Sequence, residues 1–227
     1  MVKIEMHCHS APASRCAKVP CEQAAQILCD HGYDALVLTN HYTYYDNQPH
    51  PCDELFDRIL RDYETMRQCA GRLGLKVFFG AELRFYHASE DYLLYGLTAQ
   101  ELYDLGPCYQ LDLASFYARK PAHALLVQAH PFRPPLKPAD PRFLDGVEIH
   151  NGCMRHMNNN DKALAFAKTN GLLMTSGSDF HQCYDGGLGG MAFESMPEDE
   201  RALAQMLRDG KGVCLGGPRC ADPYHPL

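Results

Sequence analysis

Short apolar runs alternate with segments of helical period along most of the chain. "VKIEMHCH" (2–9) reads as a strand, and "PCEQAAQILCDHG" (20–32) as a helix stopped by Gly32. "YDALVLTNH" (33–41) is the next strand, followed by a long amphipathic helix from Asp53 to about Gly71. "KVFFGAEL" (76–83) and "DYLLYGL" (91–97) are further strands, and the spacing of Thr98 and Glu101 is that of a capping box opening a short helix. A helix near 111–119 leads to the strand "ALLVQAH" (124–130), a Pro-rich loop (131–141) and the strand "DGVEIH" (145–150). "NNDKALAFAKTNG" (159–171) is a helix ended by Gly171, and "LLMTSGSD" (172–179) a strand. "EDERALAQMLRDG" (198–210) is the last helix, and "GVCLG" (212–216) closes the series.

Strands alternating with helices predict βαβ units and a mainly parallel sheet, an α/β fold. Several strands are near-continuous apolar runs, as both-face burial requires. No internal repeat or linker interrupts the pattern, so residues 1–227 are expected to form one domain.

Composition adds constraints. Hydrophobic residues make up 46% and charged residues 22%, ordinary values for a globular protein. A net charge of −7 argues against a surface that coats nucleic acid, though not against a local basic pocket. No stretch is long and apolar enough for a membrane span, and Lys3 and Glu5 break up any leader-like opening. Eleven cysteines without a C-x-x-C pair predict reduced thiols and a cytoplasmic location, and speak against a zinc ribbon.

The candidate chemistry sits at strand ends. Twelve histidines in 227 residues give about 0.6 His-x-His pairs by chance, so His7 and His9 alone are a weak signal. In a strand, however, residues i and i+2 share a face and can aim at one ion. Later strands also finish in potential ligands: His41, Glu82, His130, the group Glu148, His150 and Asn151, and the pair Asp179 and His181. Parallel α/β folds place their sites at that end of the strands. Imidazoles and carboxylates suit Mn²⁺, Zn²⁺ or Fe²⁺, and a shared carboxylate, Glu82, is the natural bridge.

Taken in order, "HCH", "TNHY", "GAEL", "AHPF", "GVEIHN" and "SGSDFH" resemble the PHP (polymerase and histidinol phosphatase) family of metal-dependent hydrolases, from about residue 4 to about 185. The resemblance implies a distorted seven-stranded β/α barrel with two or three ions. One would be held by His7, His9, Glu82 and Asp179, a second by Glu82 and His130, a third by His41 and His181. The chain departs from the family in three places. Asn40 stands where an Asp usually precedes the ligand His41. The strand "DYLLYGL" lacks the His that usually serves the second ion, and His87 lies only in the loop before it. Position 15, commonly His or Asp at the third ion, is Arg15, whose guanidinium cannot ligate a metal. Two ions are therefore expected.

The resemblance further implies hydrolysis of a small phosphate ester by a hydroxide bridging the ions. Arg15, Arg84 and Arg133 are the candidates for binding phosphoryl oxygens, and Asp179 or His181 for protonating the leaving group. A nuclease acting on DNA ends and a metal-binding module without catalysis are the alternatives. The acidic charge and the absence of a basic, aromatic-interleaved tract disfavour nucleic acid as partner. The loops 42–51, 131–141 and 185–190 are expected to shape the pocket.

Overall fold

A computed structural model describes residues 1–43 and 52–216. The chain opens with β1 (Val2–Cys8), α1 (Cys21–Asp30), β2 (Ala35–Leu38) and β3 (His41–Thr43). It continues through α2 (Cys52–Arg72), β4 (Lys76–Phe79), β5 (Ala81–Arg84) and β6 (Asp91–Tyr95). Next come α3 (Ala99–Asp104), α4 (Leu113–Arg119), β7 (Leu125–Gln128) and β8 (Gly146–Asn151). The last elements are α5 (Asn160–Asn170), β9 (Leu173–Gly177), β10 (Met191–Phe193), α6 (Glu200–Arg208) and β11 (Val213–Cys214).

The fold is α/β, but the strands form two mixed sheets rather than one mainly parallel ring of seven. One sheet has the order β11-β10-β1-β2-β4, the other β3-β5-β6-β7-β8-β9. β10 runs antiparallel to β1 and β11, and β6 runs antiparallel to β5 and β7. The β5–β6 reversal has a simple cause: the connection 85–90 is too short for a parallel crossover. β10 escaped sequence reading because three residues after a glycine-rich turn carry no periodicity.

Two of the expected strands are each divided between the sheets. The run 33–41 becomes β2 and β3, and the run 76–83 becomes β4 and β5. The second break falls at Gly80, where an added Cβ would lie 2.7 Å from Val37 Cγ1. A side chain there would push the two breaks apart. Backbone bonds from Gly80 N to Leu38 O and from Glu82 N to Asn40 O hold them together. At the opposite edge, Phe180 N donates to His7 O and His9 N to Phe180 O. The two sheets are thus stitched at both sides of the strand ends that carry the candidate ligands.

Apolar packing fixes this arrangement. Met6, Val37, Phe78, Leu93 and Val127 belong to a buried cluster facing α6. Leu28, Leu36, Leu38 and Met66 pack the outer side of the first sheet under α1 and α2. β1 is buried through its C-terminal five residues, which places Glu5, His7 and His9 away from bulk water. Among the described residues, no helix is long and apolar enough to cross a membrane.

The capping box read from the sequence is present at α3: Thr98 accepts from the Glu101 amide, and Glu101 accepts from the Thr98 amide at 2.9 Å. Burial would raise the Glu101 carboxyl. The Thr98 amide and the Arg201 guanidinium outweigh that and bring it down from 4.5 to about 2. The contribution of this carboxylate is therefore complete above pH 4.5 and drains away as the pH falls toward 2. Thr98→Ala is expected to lower stability by about 1 kcal/mol at pH 7 in urea unfolding. The stability gap between wild type and Glu101→Gln should narrow steadily between pH 4.5 and pH 2.

Candidate metal centre

The strand ends bring seven side chains to one point. His7 lies in the last turn of the pleat of β1, and His9 follows it on the same face. His41 opens β3 and lies in register with Glu82 on the neighbouring β5. His130 and Asp179 each follow a strand by two residues, and both adopt a left-handed backbone (φ 30° and 55°). Side-chain-bearing residues rarely take that conformation, and here it turns both side chains back toward the strand ends. His181 follows Asp179, beside the Phe180 bridge to β1.

Glu82 is the centre. Its Oε1 lies 3.3 Å from His7 Nε2 and 3.4 Å from His130 Nε2, and its Oε2 lies 2.8 Å from His41 Nδ1 and 3.4 Å from His9 Nε2. Asp179 Oδ1 is 3.4 Å from His7 Nε2 and 3.2 Å from His181 Nδ1. The donors fall into three overlapping groups, each within 4.8 Å: His7, Glu82 and His130; His7, His9 and Asp179; His9, His41 and His181.

A second layer fixes the ring orientations. His7 Nδ1 donates to Glu148 Oε1 at 2.9 Å, while Glu148 Oε2 accepts from the His130 amide and from Asn151 Nδ2. Ser14 gives its own proton to Asn40 Oδ1, so Ser14 Oγ accepts from His9 Nδ1 at 3.1 Å. Both Nδ1 atoms are thus protonated, and the two Nε2 lone pairs face each other 3.0 Å apart. The contact needs one positive charge between the two rings, supplied either by a proton on His7 or by a metal ion. Glu82 Oε1 points to the same place, buried and without a hydrogen-bond partner among the described residues. A divalent ion fits this donor set, with Glu148 as the carboxylate that orients a ligating imidazole.

The electrostatics of the cluster carry the same demand for positive charge. Burial disfavours charge on His7, but Glu148, Asp179 and Glu82 raise its pKa well above the usual value. Burial is likewise overcome at His41, which Glu82 raises to about 10, and at His181, which Asp179 and Cys16 raise to about 9. Glu82 and Asp179 stay well below the carboxylate range despite burial, held there by His41 and His7 and by His7, His181 and Arg133 respectively. His9 goes the other way: burial and the charges of His181 and His41 hold it neutral.

The centre opens into a pocket of about 230 Å³ whose wall includes Arg84, Arg133, Arg155, His156 and Gln182. Arg133 binds Asp179 Oδ2 at 2.7 Å, Asn151 Oδ1 at 3.0 Å and Asn158 Oδ1 at 2.9 Å. Arg84 makes two 2.7 Å bonds to Asp91. Arg15 is exposed and does not line the pocket; the neighbouring Cys16 does. Cys16 Sγ lies 3.1 Å from both His41 Nε2 and His181 Nε2. Burial would raise this thiol, but hydrogen bonds to His181 and His41 bring it down to about 6.

Five pocket residues were not read from the sequence: Cys16, Asp91, Arg155, His156 and Gln182. Asp91, first in β6, brings Oδ2 to 3.9 Å from His130 Nε2, on the strand where a His was expected. Its position after the bridging Glu was a usable signal. Cys16 was one residue from the position considered. Arg155 and His156 lie in a loop without any motif. Arg155 is tied to the buried Asp185, which also accepts from the amides of His181 and Gln182. His87 packs its ring at a tilt of 52° against Tyr86, has φ 60° and lies outside the pocket wall. His150 is held by Leu188 O and Asn160, so its role is structural. Asn40 organises Ser10 and Ser14 rather than the His41 ring. In the Tyr-rich loop, residues 44–51 lie outside the described residues.

No family profile and no curated protein matches this chain. Solved structures do. A two-domain protein from Bacteroides vulgatus containing a predicted PHP-like metal-dependent phosphoesterase is 19% identical with a TM-score of 0.69, covering 95% of this chain. The fold is that of the PHP-like proteins. This chain spans only 64% of that protein. PsfC from Pseudomonas syringae is 20% identical, with a TM-score of 0.61 over 96% of this chain and 92% of its own. An amidohydrolase from Chromobacterium violaceum, with bound sulfate and no metal, is 16% identical. Its TM-score is 0.54 over 98% of this chain and 99% of its own.

Adding Mn²⁺ or Zn²⁺ to chelator-treated protein is expected to raise the Tm. At free ion a hundred times the Kd, the gain corresponds to about 2.7 kcal/mol. Glu82→Gln should lose most of that rise, and Glu148→Gln should weaken metal affinity about 10–100-fold by titration calorimetry.

Proposed function

We propose that this chain belongs to the PHP family and hydrolyses a small phosphate ester with the help of bound divalent ions. The observation that carries the reading is the set of imidazoles around Glu82, opening into a pocket walled by three arginines. His7, His9, Glu82 and Asp179 would hold one ion, and Glu82, Asp91 and His130 a second. Bound ions supply Lewis acidity, which activates water and neutralises charge on the phosphoryl group.

The protein's own groups do the rest. Arg133 has Nε and Nη2 committed to Asn158, Asn151 and Asp179, which leaves Nη1 for a phosphoryl oxygen. Arg84 and Arg155 are anchored by Asp91 and Asp185 and present fixed guanidinium edges to the same space. Asp179 is held ionised, so the proton for the leaving group comes from elsewhere. His156 lines the pocket outside the three donor groups and is placed to deliver it; burial and the charge of Arg133 lower its pKa, so this step is favoured on the acid side of neutrality. The sulfate in the Chromobacterium violaceum amidohydrolase supports a tetrahedral anion as ligand.

The test offers the metal-loaded protein an aryl phosphate, an alkyl phosphate, an aryl amide and labelled single-stranded DNA. Phosphate hydrolysis is expected to dominate, with Arg133→Ala losing about 10²-fold in kcat. His156→Ala should slow the alkyl phosphate more than the aryl phosphate, whose leaving group needs no proton. Faster amide cleavage or DNA shortening would replace this reading with an amidohydrolase or a nuclease. Bound metal without any turnover would leave a metal-binding module.

A further inference from the structure

Exposed apolar side chains gather beside the pocket. Among the described residues, seven large apolar side chains are exposed. Three of them, Met154, Met157 and Tyr184, stand within two residues of the pocket-lining Arg155, His156 and Gln182. A fourth, Tyr86, stands two residues past Arg84. Met154 and Met157 are 71% and 72% exposed and flank the Arg155–His156 pair on one loop. That loop is tied at its foot, where Asn158 Nδ2 donates to Asn151 O at 3.0 Å and to Cys153 O at 2.8 Å. Arg155 Nη1 reaches both carboxylate oxygens of Asp185 at 2.5 Å, which brings the loop beside the turn that carries Tyr184. Apolar side chains gathered around a polar pocket mark a ligand contact, where scattered ones would mark nothing. The cavity of about 230 Å³ is smaller than the roughly 300–1,000 Å³ that encloses a whole small-molecule ligand. A cavity of that size takes the phosphoryl group and leaves the alcohol side of the ester at the mouth.

We infer that Met154, Met157 and Tyr184 form a subsite for a flat aromatic group on the alcohol side of the phosphate ester. The inference rests on the phosphoesterase reading above and names the class of its substrate. His156, placed to protonate the leaving oxygen, stands between the two methionines in the chain, so the alcohol that it protonates leaves along their loop. A methionine thioether packs well at the edge of an aromatic ring, and the Tyr184 ring offers a partner for its face. A polyol would leave these side chains as wet as they are without it, whereas an aromatic ring covers them.

Three alkyl phosphates with similarly unreactive leaving groups test this on the metal-loaded protein: 2-phenylethyl, 2-cyclohexylethyl and glycerol phosphate. The phenylethyl ester is expected to exceed glycerol phosphate in kcat/KM by about tenfold or more, mostly through KM. It should exceed the cyclohexylethyl ester by about threefold. The double variant Met154→Ser, Met157→Ser and the single variant Tyr184→Ser should each cost the phenylethyl ester about threefold to tenfold, and glycerol phosphate much less. All three positions are exposed, so both variants should melt with the wild type. Glycerol phosphate or the cyclohexylethyl ester matching the phenylethyl ester, or an aromatic preference that survives both variants, overturns the inference alone. Dimers in sedimentation that vanish in the variants would assign this surface to a second copy of the chain and overturn it too. Failure to hydrolyse any of these esters and the aryl phosphate overturns both the inference and the phosphoesterase reading.

Discussion

One buried carboxylate sets the terms for the rest of the molecule. Glu82 is almost wholly withdrawn from water, and its two oxygens face imidazoles from β1, β3 and the end of β7. A bare carboxylate in such a place costs several kcal/mol, and the histidines are themselves difficult to bury charged. Neither sign of charge is tolerable alone, so each holds the other in place. The neutral His9 at the centre limits the positive charge, and Glu148 and Asp179 balance what remains. The cluster is therefore an electrostatic arrangement completed by cations, and the apolar layers on both sheets supply the stability that it does not.

Much of this was legible in the chain. His7, His9, His41, Glu82, His130, Asp179 and His181 each stand at a strand end, and the structure brings all seven to one point. Their legibility has a physical basis, because alternation along a strand and the strand-to-loop transition are both local features. The class of fold was readable for the same reason. The division into two sheets was not, because it depends on where Gly80 and Asn40 let the backbone change partners. Nothing in an apolar run marks that point.

The residues that sequence reading missed share a different property: they matter through distant partners. Glu148 was visible as a strand-end acid, but only the structure shows that it orients His7 and the His130 amide together. Cys16 follows Arg15 in a loop, and only the structure shows that the thiol and not the guanidinium lines the pocket. Arg155 gains its position from Asp185, thirty residues later in the chain. Such pairings are long-range in sequence and leave no periodic trace.

Gly177 carries a consequence of its own. An added Cβ there would stand 2.4 Å from the His7 Cβ and 3.0 Å from Glu148 Oε1. β9 therefore lies directly against the back of the histidine that the first two donor groups share. The sheets meet the donor set like the two jaws of a vice, with one histidine ring as the gauge of their separation. No side chain stands between the Gly177 backbone and that histidine, so the position of β9 bears on the ring directly. The geometry of the centre is in this sense a readout of how the sheets are packed, and distance in sequence gives it no insulation.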